Sequence, residues 1–276
     1  MFLQCGKFRL SLARPLIMGA VNITPDSFSD GGAFFDTQSA VAHARRLVAE
    51  GADIIDIGGE STRPGSAGVA LDEERRRVLP ALEQVSAGPV PVSVDTQKPE
   101  LMREALAAGA SMINDINALL APGALETLAA SNAAVCVMHK KGSPADMQHD
   151  PHYDDVVAEV FVFLEQRVKT LRAAGIGAER IVIDPGFGFG KTLEHNLELL
   201  RHLDRFSAAG AVVLAGVSRK SMLGRITGRD VGERVHASVA AALIAVQKGA
   251  RIVRVHDVAA TRDAIAVWRA VQGEYL

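Results

Sequence analysis

Eight short apolar runs, each followed by a stretch of helical periodicity, constrain this chain more than any single motif does. The runs are 16–21, 53–57, 90–94, 111–116, 134–138, 180–183, 211–217 and 251–255. After them, apolar residues recur at three- and four-residue spacing, over 39–50, 72–85, 99–108, 123–130, 153–173, 193–206, 232–247 and 258–271. Several of these helices stop at a Gly-Ala pair (Gly51, Gly109, Gly249), the ending that feeds a helix into the next strand. Strand followed by helix, eight times over, is the alternation of an α/β (β/α)8 TIM barrel. A doubly wound open sheet usually needs fewer units and no closure. At 276 residues, with no linker or low-complexity segment, the expectation is one domain spanning 1–276. The partial alternation of Phe8, Leu10 and Leu12 adds a short N-terminal β-hairpin ahead of it.

Composition removes several functional classes. A net charge of −2 gives no basic excess for nucleic acid, and the charge run 73–77 reads as a solvated helix face. No apolar run reaches membrane-spanning length, and the first residues lack the apolar core of a signal peptide. Cys5 and Cys136 lie far apart in no metal or redox spacing, which predicts reduced thiols in a cytoplasmic protein.

The strand ends carry the chemistry. They deliver Asn22, Asp56, Asp95, Asn114 with Asp115, His139, Asp184, Ser218 with Lys220, and Arg254 with His256. In a barrel these ends converge on one face, where barrel enzymes place their active sites. Parity agrees, because Arg254 and His256 share one side of their strand while Val253 and Val255 face the helices. Two long segments, NITPDSFSDGG at 22–32 and GGESTRPGSAG at 58–68, read as functional loops over that face. Asp95, Asn114 and Asp184 suit a flat heterocycle bearing several N–H donors. Arg63, Arg219, Lys220, Arg254 and His256, with Asn22 nearby, suit an anion such as diphosphate. Asn22 and the diphosphate oxygens would make hard ligands for Mg2+.

Residues 181–192, IVIDPGFGFGKT, invite a different reading, as a phosphate-binding glycine loop. Spacing rejects it. A P-loop needs glycine where Pro185 stands, and the dinucleotide fingerprint needs glycine where Lys191 stands. What remains is Asp184, delivered by a strand into a loop that can approach a ligand closely. Lys191 reads as just a residue at the start of the next helix.

The chain resembles the dihydropteroate synthase family of the folate pathway. The resemblance rests on NITPDSFSDGG (22–32), DIGGESTRPG (56–65), SVDT (93–96), NDI (114–116), DPGFGFGK (184–191), SRKS (218–221) and RVHDV (254–258), in the family's order. It implies a homodimeric TIM barrel in which p-aminobenzoate displaces diphosphate from 6-hydroxymethyl-7,8-dihydropterin diphosphate. It also implies early breakage of the C–O bond to give a pterin cation. By the same resemblance Asp95, Asn114, Asp184 and Lys220 hold the pterin, and Asn22, Arg254 and His256 hold the diphosphate. Asn22 is the expected Mg2+ ligand. Thr62, Arg63, Pro64, Phe189, Ser218 and Lys220 match the p-aminobenzoate pocket, and Asp95, Asp184, Lys220, Arg254 and His256 match the catalytic positions. Lys140 and Lys141 depart from the family, which more often has a neutral residue and then Gln after His139; they read as solvated loop lysines. The remaining histidines (His43, His149, His152, His195, His202, His236) read as surface residues. A pterin-dependent methyltransferase would share the acids but would not need the STRPG loop or the SRK and RVH cations. A catalytically silent relative would have lost Lys220, Arg254 or His256, and this chain keeps all three.

Overall fold

The structure, a computed structural model, describes residues 1–23, 32–61, 68–142, 147 and 149–273, the side chains of 32–36 excepted. The hairpin forms as expected. Strands β1 (Phe2–Cys5) and β2 (Phe8–Ser11) pair antiparallel, with Phe2 opposite Ser11 and Gly6 turning the chain at φ 54°.

Eight parallel strands follow: β3 (Leu16–Asn22), β4 (Ile54–Gly58), β5 (Val92–Asp95), β6 (Met112–Asp115), β7 (Ala134–Met138), β8 (Ile181–Asp184), β9 (Val212–Ala215) and β10 (Ile252–Val255). They close into a barrel in sequence order, with β10 pairing back onto β3. Around them lie α1 (Gly32–Glu50), α2 (Leu71–Val85), α3 (Pro99–Ala107), α4 (Ala124–Ala129), α5 (Val156–Ala173), α6 (Leu193–Arg201), α7 (Ser221–Thr227), α8 (Val235–Gln247) and α9 (Val258–Val271).

The strands fall within a few residues of the periodicity, but five helices differ, among them α8, which begins three residues after the expected Gly232. Helix α1 begins seven residues before the expected Ser39. Helix α5 starts three residues late because the Asp155 carboxylate caps it, accepting from the backbone N–H groups of Val157 and Ala158. The run expected to continue to Phe206 stops at Arg201 and tightens into a 3-10 turn over Leu203–Ala209. Helix α7 is absent from the periodicity; at seven residues it is too short to display a repeat.

Strand parity divides the interior. Outward-facing Ile55, Ile57, Val94, Ile113, Val137 and Ile183 join one core with Leu47 of α1, Leu82 of α2 and Leu164 of α5. Inward-facing Leu16, Met18, Ile54, Met112, Cys136, Val182 and Leu214 form a second core, with Leu3, Cys5 and Leu12 of the hairpin segment packed against it. The hairpin thus closes the barrel floor. Higher along the same inward parity the residues turn polar: Asp56, Asp95, Asn114, Asp184 and Arg254. The result is a cup with an apolar floor and a charged mouth. Among the described residues no helix is long and apolar enough to cross a membrane.

Candidate active site

Arg254, on β10, reaches across the mouth to two acids. Its Nε donates to Asp56 Oδ2 at 2.6 Å and its Nη2 to Asp95 Oδ2 at 3.2 Å. Asn114 Nδ2 donates to the same Asp56 oxygen at 3.2 Å. Asp95 and Asn114 are paired in register across β5 and β6, so they present side by side. Burial, then the charge of Asp56, pushes the Asp95 carboxyl up to about 7 against the pull of Arg254. Burial also works against the Arg254 charge, yet Asp56 and Asp95 hold it above the ordinary arginine value. Asp115 faces the other way: its carboxylate accepts from the backbone N–H groups of Asn117 and Leu119, 2.7 Å each, and serves the turn.

Asp184 ends β8 with Oδ1 accepting from Gly186 N at 2.7 Å. Burial raises its pKa, opposed by that N–H and by Lys220. A Cβ on Gly216 would lie 3.5 Å from Asp184 Oδ2, so the glycine that follows the neighbouring strand β9 keeps room beside the acid. Lys220 places Nζ 4.2 Å from the centroid of the Phe189 ring, a cation–π contact that joins the two. Burial lowers the Lys220 ammonium to about 8. Phe189 is itself buried, with Ile116, Met138 and Met147, in a small apolar cluster apart from the main cores.

The glycine-rich loop is built around Lys191, which corrects its reading as a helix-start residue. Lys191 is 2% exposed. Its Nζ donates to the carbonyls of Gly186 (2.9 Å) and Phe189 (3.0 Å) and lies 3.1 Å from His139 Nδ1. Burial lowers it to about 7 and, with Lys191 beside it, lowers His139 to about 3. Tyr153 adds a hydrogen bond from its hydroxyl to Gly190 O at 2.9 Å. The loop folds back over β7, and a lysine ties it down from inside. No spacing pattern signals this; it exists only once β7 and β8 are neighbours.

The cationic half is narrower than the sequence implies. Arg219 adopts φ 57° and turns away, pairing with Asp257 at 2.6 and 3.1 Å while its N–H donates to Ser238 Oγ. His256 is neutral rather than cationic, because burial and then the charge of Arg254 lower it to about 3. Its backbone N–H donates to Ser218 Oγ, whose hydroxyl lies 3.0 Å from His256 Nδ1. The one hydroxyl thus holds His256 at two points, its backbone N–H and its ring nitrogen Nδ1. Asn22 ends β3 half-buried, and no cluster of three His, Cys, Asp or Glu among the described residues could hold a metal. One amide oxygen fits a hard divalent cation that keeps its waters and takes further ligands from a substrate phosphate.

Thr62, Arg63 and Pro64 lie outside the described residues, as does most of 22–32. Lys140 is not the solvated residue expected, being half-buried with Nζ 3.2 Å from Gln97 Oε1. Lys141 sits over the Tyr153 ring at 4.2 Å. Cys5 and Cys136 are buried free thiols.

Comparison with known proteins matches residues 18–256 to the pterin binding enzyme family. A dihydropteroate synthase of Neisseria meningitidis serogroup C is 52% identical over 273 residues, covering 97% of this chain and 96% of that one. The chain belongs to the pterin binding enzymes, among the dihydropteroate synthases. A Xanthomonas albilineans dihydropteroate synthase solved with 4-aminobenzoic acid superposes with a TM-score of 0.93 at 55% identity, covering 98% of each chain. The same bacterium's enzyme in complex with 7,8-dihydropteroate gives 0.90 at 52% identity, covering 99% of each. Every polar residue described above from Asn22 to His256 lies inside the span matched to the family.

Proposed function

We propose that this barrel mouth joins p-aminobenzoate to 6-hydroxymethyl-7,8-dihydropterin diphosphate, as a transferase of folate biosynthesis, with its two chemical halves dividing the work. The observation that carries the division is Arg254: one guanidinium anchored on Asp56 and Asp95 stands at the junction of the acids and the anion-binding groups. The carboxylates of Asp95 and Asp184 and the Asn114 amide take the pterin edge, where an analogue lacking the N–H donors would leave buried acceptors unpaired. Lys220 and Phe189, already in contact, border the pterin and p-aminobenzoate positions together with Ser218.

The reaction breaks the bond between the pterin methylene carbon and the diphosphate oxygen and forms one to the aniline nitrogen. Positive charge growing on the heterocycle is stabilised by Asp95 and Asp184. Negative charge growing on the leaving group is met by Arg254 and by the imidazole of His256, whose orientation Ser218 fixes. Asn22 would help hold Mg2+, which when bound would supply further charge neutralisation at the leaving group. By the family resemblance, Thr62, Arg63 and Pro64 are assigned to p-aminobenzoate as well.

The enzyme works as a homodimer in the cytoplasm. Helix α8 supports the first part: Ile244 is 43% exposed on a helix otherwise rich in alanine and valine. Free buried thiols suit a reducing compartment. Release of diphosphate that depends on p-aminobenzoate, measured with purified protein and Mg2+, tests the reading. No release with both substrates present overturns it.

A further inference from the structure

We propose that Asp56 is a positioning residue for this reaction, orienting Arg254 and the Asn114 amide through one carboxylate oxygen. The inference rests on the synthase reading and deepens it. Asp56 lies two residues before the end of β4 and shares its inward parity, one layer below Asp95. It is 0% exposed, whereas the Arg254 and Asp95 side chains keep 20% and 13%. A substrate at the mouth therefore meets Arg254, Asp95 and Asn114 but not Asp56.

Two donors converge on Asp56 Oδ2: Arg254 Nε at 2.6 Å and Asn114 Nδ2 at 3.2 Å. The first sets the rotation of the guanidinium, because Nε lies on the stem side of the fork and Nη2 is then directed at Asp95. The second sets the amide. An ionised carboxylate only accepts, so the Asn114 atom facing it is the NH2 group, and the carbonyl oxygen is the group left for a ligand. Asp56 thereby makes Asn114 an acceptor and completes a row of acceptors with Asp95 and Asp184. Its charge also acts on Asp95, alongside the charges of Arg254 on β10, Glu74 on α2, Asp115 on β6 and Lys220 after β9.

The test is Asp56→Asn in the full-length protein, with kcat/KM for the pterin diphosphate followed against pH at saturating p-aminobenzoate. The substrate's own ionisation is common to both proteins and cancels in the comparison. Expected is a loss of about tenfold or more in kcat/KM for the pterin substrate, with the KM for p-aminobenzoate within about twofold of the parent. The acid limb moves down by about half a unit or more, since Asp95 has lost a like charge. An unmoved limb, or equal losses on both substrates, overturns the proposal. If circular dichroism shows Asp56→Asn unfolded, Asp56→Glu carries the test, keeping the charge while displacing the oxygen. A tenfold loss with the limb in place then supports the proposal, and parental kinetics or a shifted limb overturns it. Parent protein without p-aminobenzoate-dependent diphosphate release would sink the synthase reading itself, a different failure.

Discussion

At the scale of single residues, the mouth uses burial to set charge states that water would not. Asp184 has one oxygen satisfied by Gly186 and is otherwise aimed into the cup, so its charge is the main contact left for a ligand. Asp184→Asn should weaken binding of the pterin diphosphate about 30- to 100-fold by calorimetry without p-aminobenzoate, the cost of a lost charged hydrogen bond. Unchanged affinity would refute its role. Asp95 predicts a pH dependence with two opposite signs. Its carboxyl is raised from 3.8 to about 7, so between those values the folded chain holds a proton that the unfolded chain has released. Its contribution to stability therefore falls as pH rises through that window. Substrate capture runs the other way, since the ionised acid is the stronger acceptor for the pterin N–H donors. The kcat/KM for the pterin substrate should rise as pH climbs through about 7, and Asp95→Asn should flatten that limb.

At the scale of elements, the glycine-rich loop shows how a familiar-looking motif takes a different use. Gly186 sits at φ 73°, and a Cβ there would lie 1.9 Å from the carbonyl oxygen of His139. Gly188 sits at φ 81° but would meet only the Lys220 side chain, with Cδ at 3.4 Å and Nζ at 3.8 Å. Gly186→Ala should therefore destabilise the protein by well over about 1 kcal/mol in urea unfolding, through strain and backbone clash together. Gly188→Ala should cost less stability, through backbone strain without a clash, because its contact with the Lys220 side chain is an ordinary one. Equal stability losses in the two variants would contradict this account. Much of the element pattern was legible in advance, since strand alternation and helical spacing are local properties. The 3-10 turn after α6 and the short α7 were not, because neither is long enough to carry a period.

At the scale of the whole molecule, the barrel is asymmetric along its axis: closed by apolar packing at the floor, open and charged at the mouth. Leu3 of the hairpin is fully buried against that floor with Met18, Ile54 and Met112. Leu3→Ala should cost about 2–5 kcal/mol of stability by the usual price of a core cavity. The kcat of the folded fraction should be unchanged, because the floor lies on the opposite end from the chemistry. A lowered kcat with intact stability would show instead that the hairpin acts on the site.

The sequence by itself determined the closed barrel and the acids and cations at its strand ends, because parity and position along a strand fix which residues face the mouth. Only tertiary structure decided which of those groups are available. Arg219 is drawn off by Asp257, and His256 is held neutral by burial and Arg254. Lys191 is consumed by the carbonyls of its own loop, and Asp56 sinks beneath Arg254 and Asn114. Each outcome depends on burial and on partners brought together across strands as far as 198 residues apart in sequence. Desolvation and long-range pairing are set by distance in space, which strand and helix periodicity do not encode.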